Sequence, residues 1–398
     1  MSSQLWSFTV SYRFPVTFTR DVFAIDNPHL LEVVRSCENE VGAPVRAAVF
    51  VDQAVLAARP RLERDIIAWF AHHAEHGLAL AASPYPVSGG EAIKDGLPII
   101  ERVARICVDL HLCRHSYLII IGGGAVLDAV GLAASLVHRG LRHIRLPTTT
   151  LAQCDAGLGV KNAVNLFGIK NLIGSFTPPT AVINDLRFLE TQDARTWRAG
   201  LAEAVKVAII KDAEFFARLE ALAPALAARD ATAMAEAVQR CATLHLEHIT
   251  GSGDPFERGT SRPLDYGHWL AHRLEALSQH RLQHGEAVAI GVAADSLYAA
   301  SIGRLSSGDA ERVVRLLQRL GFRLWDACFT LRDAQGRRQV YAGLEQFREH
   351  LGGQLTLAMP DGLGRQRDIA SIDIALYEQA LAQLRRCARR AVPCANGR

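Results

Sequence analysis

The segment SYLIIIGGGAVLDAVGLAASL (116–136) constrains this chain more than any other. An apolar, β-branched run ends in three glycines, and an apolar helix pattern starts at once. Glycines at such a junction let backbone N–H groups close on a pyrophosphate, whose negative charge the helix N-terminus favours. The spacing is GGGxxxD rather than GxGxxG, with Gly123, Gly124 and Asp128 in place. Alone, it also suits a plain glycine turn at a strand end. Two further features bear on that choice. Asp52 closes the strand candidate AAVFVD (47–52), where an acid can reach ribose hydroxyls. Glu91 and Lys94 follow the next strand candidate, LALAASPYPV (78–87), and are spaced to share a helix face. In this order the features point to a nicotinamide dinucleotide.

Short apolar runs separated by helical stretches continue to about residue 185, HIRLPTT (143–149) among them. They predict a parallel sheet covered on both faces. Beyond 186 the chain turns to Ala/Leu/Arg-rich amphipathic helix, as over 198–228, 230–249 and 283–302. The expected architecture is an α/β Rossmann-like dinucleotide-binding domain over 1–185 and a mostly α-helical, metal- and substrate-binding domain over 186–398. The active site is expected in the cleft between them. A length of 398 residues agrees with two or three domains of roughly 150 residues. Lys+Arg 44 against Asp+Glu 41 gives a dispersed net charge of +3, which argues against a nucleic-acid or membrane-surface partner. There is no basic-then-apolar leader, no apolar run of roughly 18 residues, and no CxxC among the eight cysteines. A cytoplasmic protein with reduced thiols is expected.

Chemistry is carried by three further groups. LDYGHWLAHRLE puts His268 and His272 at i and i+4 on one helix face, His284 follows in QHGEAVAIG, and Glu203 and Lys206 sit upstream in GLAEAVK. A carboxylate and two imidazoles form a three-ligand site with an open position, the pattern of catalytic zinc. Spacing alone does not separate this from surface or satisfied core histidines. Between the halves, TTTLAQCDAGLGVKNAVNLFGIKNLIGSF holds Asp155, Lys161, Asn162, Lys170 and Asn171 among glycines. That set suits a phosphorylated, polyhydroxylated ligand, or a polar surface loop.

Taken together, the blocks GGEAIKD, GGGAVLD, HRG, PTTTLAQCDAGLGVKNAVN, GIKNLIGSF, GLAEAVK, DYGHWLAH and QHGEAVAIG resemble the sugar phosphate cyclases, the superfamily that includes 3-dehydroquinate synthase. The resemblance implies NAD and Zn²⁺ as cofactors, with Co²⁺ an alternative metal. It implies Glu203, His268 and His284 as metal ligands, and Asp52, Glu91, Lys94, Gly123, Gly124, Asp128, Thr148 and Thr149 as NAD contacts. Arg139, Lys161, Asn171 and His272 match positions that hold a substrate phosphate. Asp155, Lys170 and Lys206 match positions around the substrate hydroxyls and reacting carbons. Arg139 is expected to reach the site of a neighbouring subunit in a homodimer.

Departures from the pattern bear on the substrate. In 3-dehydroquinate synthases a Lys and an Arg before the GHxxxH helix bind the substrate carboxylate. An ungapped count back from His268 puts Glu247 and Ser261 there, with Arg262 adjacent, and an Asn becomes Asp265. A charge pair about 4 Å apart is worth on the order of 4 kcal/mol at an effective dielectric of 20, so an acid in that pocket repels an acid. RPLDYGH and GLEQFREHLGGQLTLAMPDGLG instead resemble the sedoheptulose 7-phosphate cyclases, the 2-epi-5-epi-valiolone synthase group, with His350 near a phosphate-binding position. Trp269 stands where Thr is usual, and His272 is kept where that group often has Pro. The expected function is conversion of a sugar phosphate, sedoheptulose 7-phosphate, to a C7 cyclitol. The rivals are a 3-dehydroquinate synthase, a polyol dehydrogenase of the glycerol dehydrogenase type, and a non-catalytic sugar-phosphate-binding homologue. Loss of a ligand or of the catalytic acid would mark the last, and neither is lost.

Overall fold

Strands buried on both faces need apolar residues at successive positions, and the chain supplies them in four runs. The computed structural model describes residues 3–36, 45–259, 261–350 and 352–390, the side chains of His350 and Arg390 apart. It divides into two units, one of residues 1–148 and 159–188, the other of 149–158 and 189–398.

The first unit is built on a parallel sheet of β1 (Val16–Thr19), β2 (Val45–Asp52), β3 (Leu78–Leu80), β4 (Tyr85–Val87), β5 (Tyr117–Gly122), β6 (Arg142–Pro147) and, after the antiparallel hairpin β7 (Lys161–Leu166) and β8 (Ile169–Phe176), β9 (Ala181–Asp185). The order is β1-β9-β6-β5-β2-β3, with β4 also paired to β2. Helices α1 (His29–Ser36), α2 (Gln53–Ala58), α3 (Leu62–His72), α4 (Pro98–Asp109) and α5 (Gly124–Leu136) complete it. The expected Rossmann-like half is present. From β2 the chain goes outward to β3 and β4, then returns to β5 on the other side of β2. Connections therefore diverge at the carboxyl ends of β2 and β5, where doubly wound sheets leave a crevice. Asp52 ends one strand and Gly122 the other, one residue past the aligned pair Val51–Ile121.

A buried cation ties the hairpin to the sheet. Arg145 on β6 is fully buried and donates to the carbonyls of Gly159 and Lys161 and to Asn162 Oδ1 at 2.7, 3.1 and 2.7 Å. Three charge-assisted bonds are what such a desolvated guanidinium needs.

The second unit is helical, as expected: α6 (Ala194–Lys211), α7 (Ala213–Ala227), α8 (Ala231–Gly251), α9 (His268–Leu277), α10 (His284–Ser301), α11 (Ser307–Arg319), α12 (Ala342–His350) and α13 (Ile374–Arg390). A small antiparallel ribbon, β10 (Leu357–Pro360) with β11 (Gln366–Ile369), is an addition to that expectation. Over 198–228 the periodicity reads as one helix, but the chain breaks at Asp212. Its backbone leaves the helical region and its carboxylate accepts from Phe215 N at 3.0 Å, starting α7. An N-cap of this kind is worth about 1 kcal/mol.

Asp295, buried in α10, accepts from Tyr377 Oη on α13 at 2.7 Å and from Trp269 Nε1 on α9 at 3.3 Å. Trp269, unusual at its position, thus spends its polar atom on a core acid. Burial pushes the Asp295 carboxyl up to about 7 against those donors. An acid raised in the folded state binds its proton more tightly there, so stability falls as pH rises from about 4 to about 7. We predict that Asp295→Asn, which cannot ionise, gains roughly 2–3 kcal/mol relative to the parent between pH 5 and pH 8. Denaturant midpoints at the two pH values check this. An equal difference at both would mean that Asp295 keeps an ordinary carboxyl.

Candidate active site and metal centre

In the first unit the sheet ends assemble one cluster. Asp52 caps α2 through Ala54 N at 2.9 Å, and burial raises its carboxyl. Gly123 precedes α5, which starts at Gly124 and carries Asp128 just past its first turn. Thr148, buried, donates its N–H to Gly122 O at 3.0 Å, which brings the end of β6 beside the glycine turn. Glu91 and Lys94 lie on a short 3₁₀ turn. Lys94 is only 2% exposed, pairs with Asp128 at 2.8 Å, and donates to Asn171 Oδ1. The structure therefore joins Asn171 to the Lys94–Asp128 pair within this unit. Lys161 and Lys170 are exposed on β7 and β8. Arg139 is exposed on the turn after α5, where it and His138 take positive φ, 65° and 51°.

The second unit holds the other cluster. Glu203 lies fully buried on α6, and its Oε1 makes no hydrogen bond. Facing that oxygen are His284 Nε2 at 3.5 Å and His268 Nε2 at 3.7 Å. These gaps exceed a hydrogen bond, yet they approach the roughly 3.3 Å that separates ligand atoms around a tetrahedral ion with 2.0–2.1 Å bonds. One donor atom from each residue lies within 4.8 Å of the others. An orphaned, buried carboxylate oxygen facing two imidazole nitrogens fits a divalent metal by donor type and spacing alike.

Helix packing produces this convergence. α10 runs against α6 so closely that a Cβ on Gly285 would sit 2.3 Å from Ala199 O. Further along α10, a Cβ on Gly291 would sit 2.1 Å from the carbonyl oxygen of Gly267, which precedes His268 at φ +79°. Only glycine allows both approaches, and together they bring His284 and His268 to Glu203.

Lys206, one helical turn from Glu203 and 1% exposed, pairs with its Oε2 at 2.5 Å. Burial opposes the charge of Glu203, but Lys206 and then the two histidines overcome it and hold the carboxyl well below its usual range. Burial likewise opposes the charge of Lys206, and Glu203, Asp155 and Asp265 reverse it, leaving the ammonium raised. For His284, burial favours the neutral ring, yet Glu203 and Glu275 raise it to about 9. The cradle is built to hold positive charge.

Residues 149–158 join this unit. Thr149 Oγ1 accepts from Ala152 N at 3.1 Å and starts a π-helical turn, Ala152–Ala156, that carries Asp155. Asp155 lies 3.4 Å from His245 Nδ1 on α8. Glu247 is not brought there: it is exposed, while Cys241, His245 and His248 form the inward stripe of α8. Two residues turn a helix by about 200°, and the count from His268 crosses a segment that is not helical over 252–259, so the count does not fix a register on α8. Arg262 is half-buried and faces Glu257 Oε2 at 3.8 Å, Ser261 is exposed, and Asp265 is half-buried. His272 is exposed, its ring stacked on that of His284 at 5.9 Å. His350 ends α12, and its side chain lies outside the described residues. Sequence reasoning missed His245, His248 and Glu275. The i, i+3 histidines of α8 were the available signal for the first two. Glu275 carried none.

Comparison with known proteins agrees with both halves. Residues 84–199 match the family model described as 3-dehydroquinate synthase N-terminal, and residues 200–337 the one described as 3-dehydroquinate synthase C-terminal. The chain is 34% identical to a 2-epi-5-epi-valiolone synthase of Streptomyces glaucescens over 77% of each chain. It is 33% identical to a 3-dehydroquinate synthase of Shewanella sp. (strain MR-4), over 73% of this chain and 79% of that one. Among solved structures it resembles ValA, the 2-epi-5-epi-valiolone synthase of Streptomyces hygroscopicus subsp. jinggangensis 5008, which has NAD⁺ and Zn²⁺ bound. The TM-score is 0.82 and the identity 27%, covering 96% of this chain and 99% of that one. Among the described residues, no helix is long and apolar enough to cross a membrane.

Proposed function

We propose that this chain, which belongs to the 3-dehydroquinate synthase family, is an NAD- and zinc-dependent cyclase that converts sedoheptulose 7-phosphate to a C7 cyclitol, 2-epi-5-epi-valiolone or a stereoisomer, with loss of phosphate. The observation that carries this choice is the company kept by Glu203. Lys206 draws on Glu203, Asp155 and Asp265, and His245 lies against Asp155. Acids hydrogen-bond hydroxyls well and attract a second carboxylate poorly.

Glu203, His268 and His284 would hold the metal, and Asp52, Glu91, Lys94, Gly123, Gly124, Asp128, Thr148 and Thr149 the dinucleotide. When bound, these supply a Lewis acid and a reversible hydride acceptor. Lys206 and Asp155 orient the substrate hydroxyls and hold a proton at the reacting carbons. Lys170 joins them around the hydroxyls, while Lys161, Asn171, His272 and His350 serve the phosphate, together with Arg139 of the neighbouring subunit in a cytoplasmic homodimer. A dinucleotide held there would take up one hydride from the substrate and return it, with no net redox change. Between the two, the phosphate would leave by β-elimination, itself taking the adjacent C–H proton, and intramolecular aldol closure would follow.

A second reading, 3-dehydroquinate synthase, is favoured by the Shewanella relative and by Arg262 on the segment before α9. Phosphate release from sedoheptulose 7-phosphate and from the 3-deoxy-heptulosonate 7-phosphate acid, each with NAD⁺ and Zn²⁺, separates the two. We expect release from the ketose at least roughly 100-fold faster, a gap of about 2.7 kcal/mol, which one misplaced charge can supply. Release from the acid alone would make this chain a dehydroquinate synthase.

A further inference from the structure

The imidazole of His284 is held between two carboxylates. Its Nε2 faces Glu203 Oε1 at 3.5 Å, and its Nδ1 lies 3.2 Å from Glu275 Oε2. Glu275 sits two turns along α9 from His268 and is only 5% exposed. Glutamate is rarely buried to that degree without a partner that needs it. His268 is backed differently, since its Nδ1 lies 3.1 Å from the main-chain carbonyl of Tyr266. One of the paired imidazoles thus leans on a neutral acceptor and the other on a full negative charge.

We propose that Glu275 is a positioning residue for the metal centre. It takes the Nδ1–H of His284, which leaves the Nε2 lone pair directed at the Glu203 cradle, and its charge makes that nitrogen the stronger donor of the pair. The inference rests on the reading of Glu203, His268 and His284 as metal ligands and deepens it. His272, Glu275 and His284 also form a second group of donors within 4.8 Å of one another. That group shares His284, and a cation held by its Nδ1 and the Nδ1–H bond to Glu275 would exclude each other. The two assignments differ in metal stoichiometry.

The test compares the full-length protein with Glu275→Gln and Glu275→Ala. Metal is removed, then Zn²⁺ affinity is measured by competition with a chelator, and Co²⁺ is added to record its d–d bands. We expect one equivalent per chain in all three. Affinity should fall by about 10–100-fold in Glu275→Gln, the usual cost of losing a carboxylate behind a ligating histidine. The Co²⁺ bands should shift, and the metal-free melting temperature should fall modestly, because the buried His284–Glu275 pair loses one charged partner. A merely structural glutamate would lower the melting temperature too but leave the bands in place, overturning the proposal. Affinity within about twofold of the parent, or two equivalents in the parent and one in Glu275→Gln, would overturn it as well. A parent chain that binds no metal at all would instead remove the ligand assignment on which the inference stands.

Discussion

Glu203→Gln should empty the metal centre and abolish turnover while leaving dinucleotide binding intact. The side chain keeps its volume, so α6 has no packing reason to move. The change instead removes the buried charge that faces both imidazoles and replaces an oxygen with a donor at one of two positions. A ligand loss exceeds the roughly 10–100-fold penalty of losing an outer partner, so at least about 10³-fold in metal affinity is expected. The same substitution strands Lys206, whose ammonium is raised only because Glu203, Asp155 and Asp265 outweigh its burial. Removing one partner of a buried pair costs about 3–5 kcal/mol, so the variant should also melt earlier. Metal content after gel filtration, phosphate release and NAD⁺ titration read the three effects separately. A variant that keeps one zinc per chain and turns over within tenfold of the parent would show that the cradle lies elsewhere.

What could be seen in the chain beforehand divides along a physical line. The strand–glycine–helix junction at Gly123 and Gly124 was legible because its conformation is local, and so was the apolar burial of β2 and β5. The convergence of Glu203, His268 and His284 was suggested by residue type, but its cause lies in two close helix approaches at Gly285 and Gly291. No spacing rule encodes those. Asp212 broke a continuous periodicity because a cap competes with the pattern from a single position. Lys94 is matched to a dinucleotide contact by resemblance alone, and its bond to Asn171, which joins residues far apart along the chain, had no sequence signal. Glu247 is the opposite case. A count along the sequence cannot choose a helix face, and here Glu247 is exposed while His245, two residues back, lies against Asp155.

Lys206 and a divalent metal compensate the same carboxylate, which makes Lys206→Met the most discriminating change in the site. Lys206 is 1% exposed and pairs with Glu203 Oε2, while the opposite oxygen faces the imidazoles. Two cations beside one carboxylate repel each other; at about 4 Å and an effective dielectric of 20, that repulsion is on the order of 4 kcal/mol for each pair of unit charges. Methionine fills a similar volume without charge. The variant should therefore bind Zn²⁺ at least as tightly as the parent, because Glu203 no longer divides its charge between two partners. Turnover should nonetheless fall by about 10²–10⁴-fold, the usual loss when a positioned proton donor or acceptor is removed. Tight metal binding with lost turnover places Lys206 at the reacting atoms of the sugar. Loss of zinc and activity together would instead make it a brace for Glu203, and the proton-handling role assigned to it here would pass to Asp155 and His245. Chelator competition and single-turnover phosphate release on the same preparation decide between them.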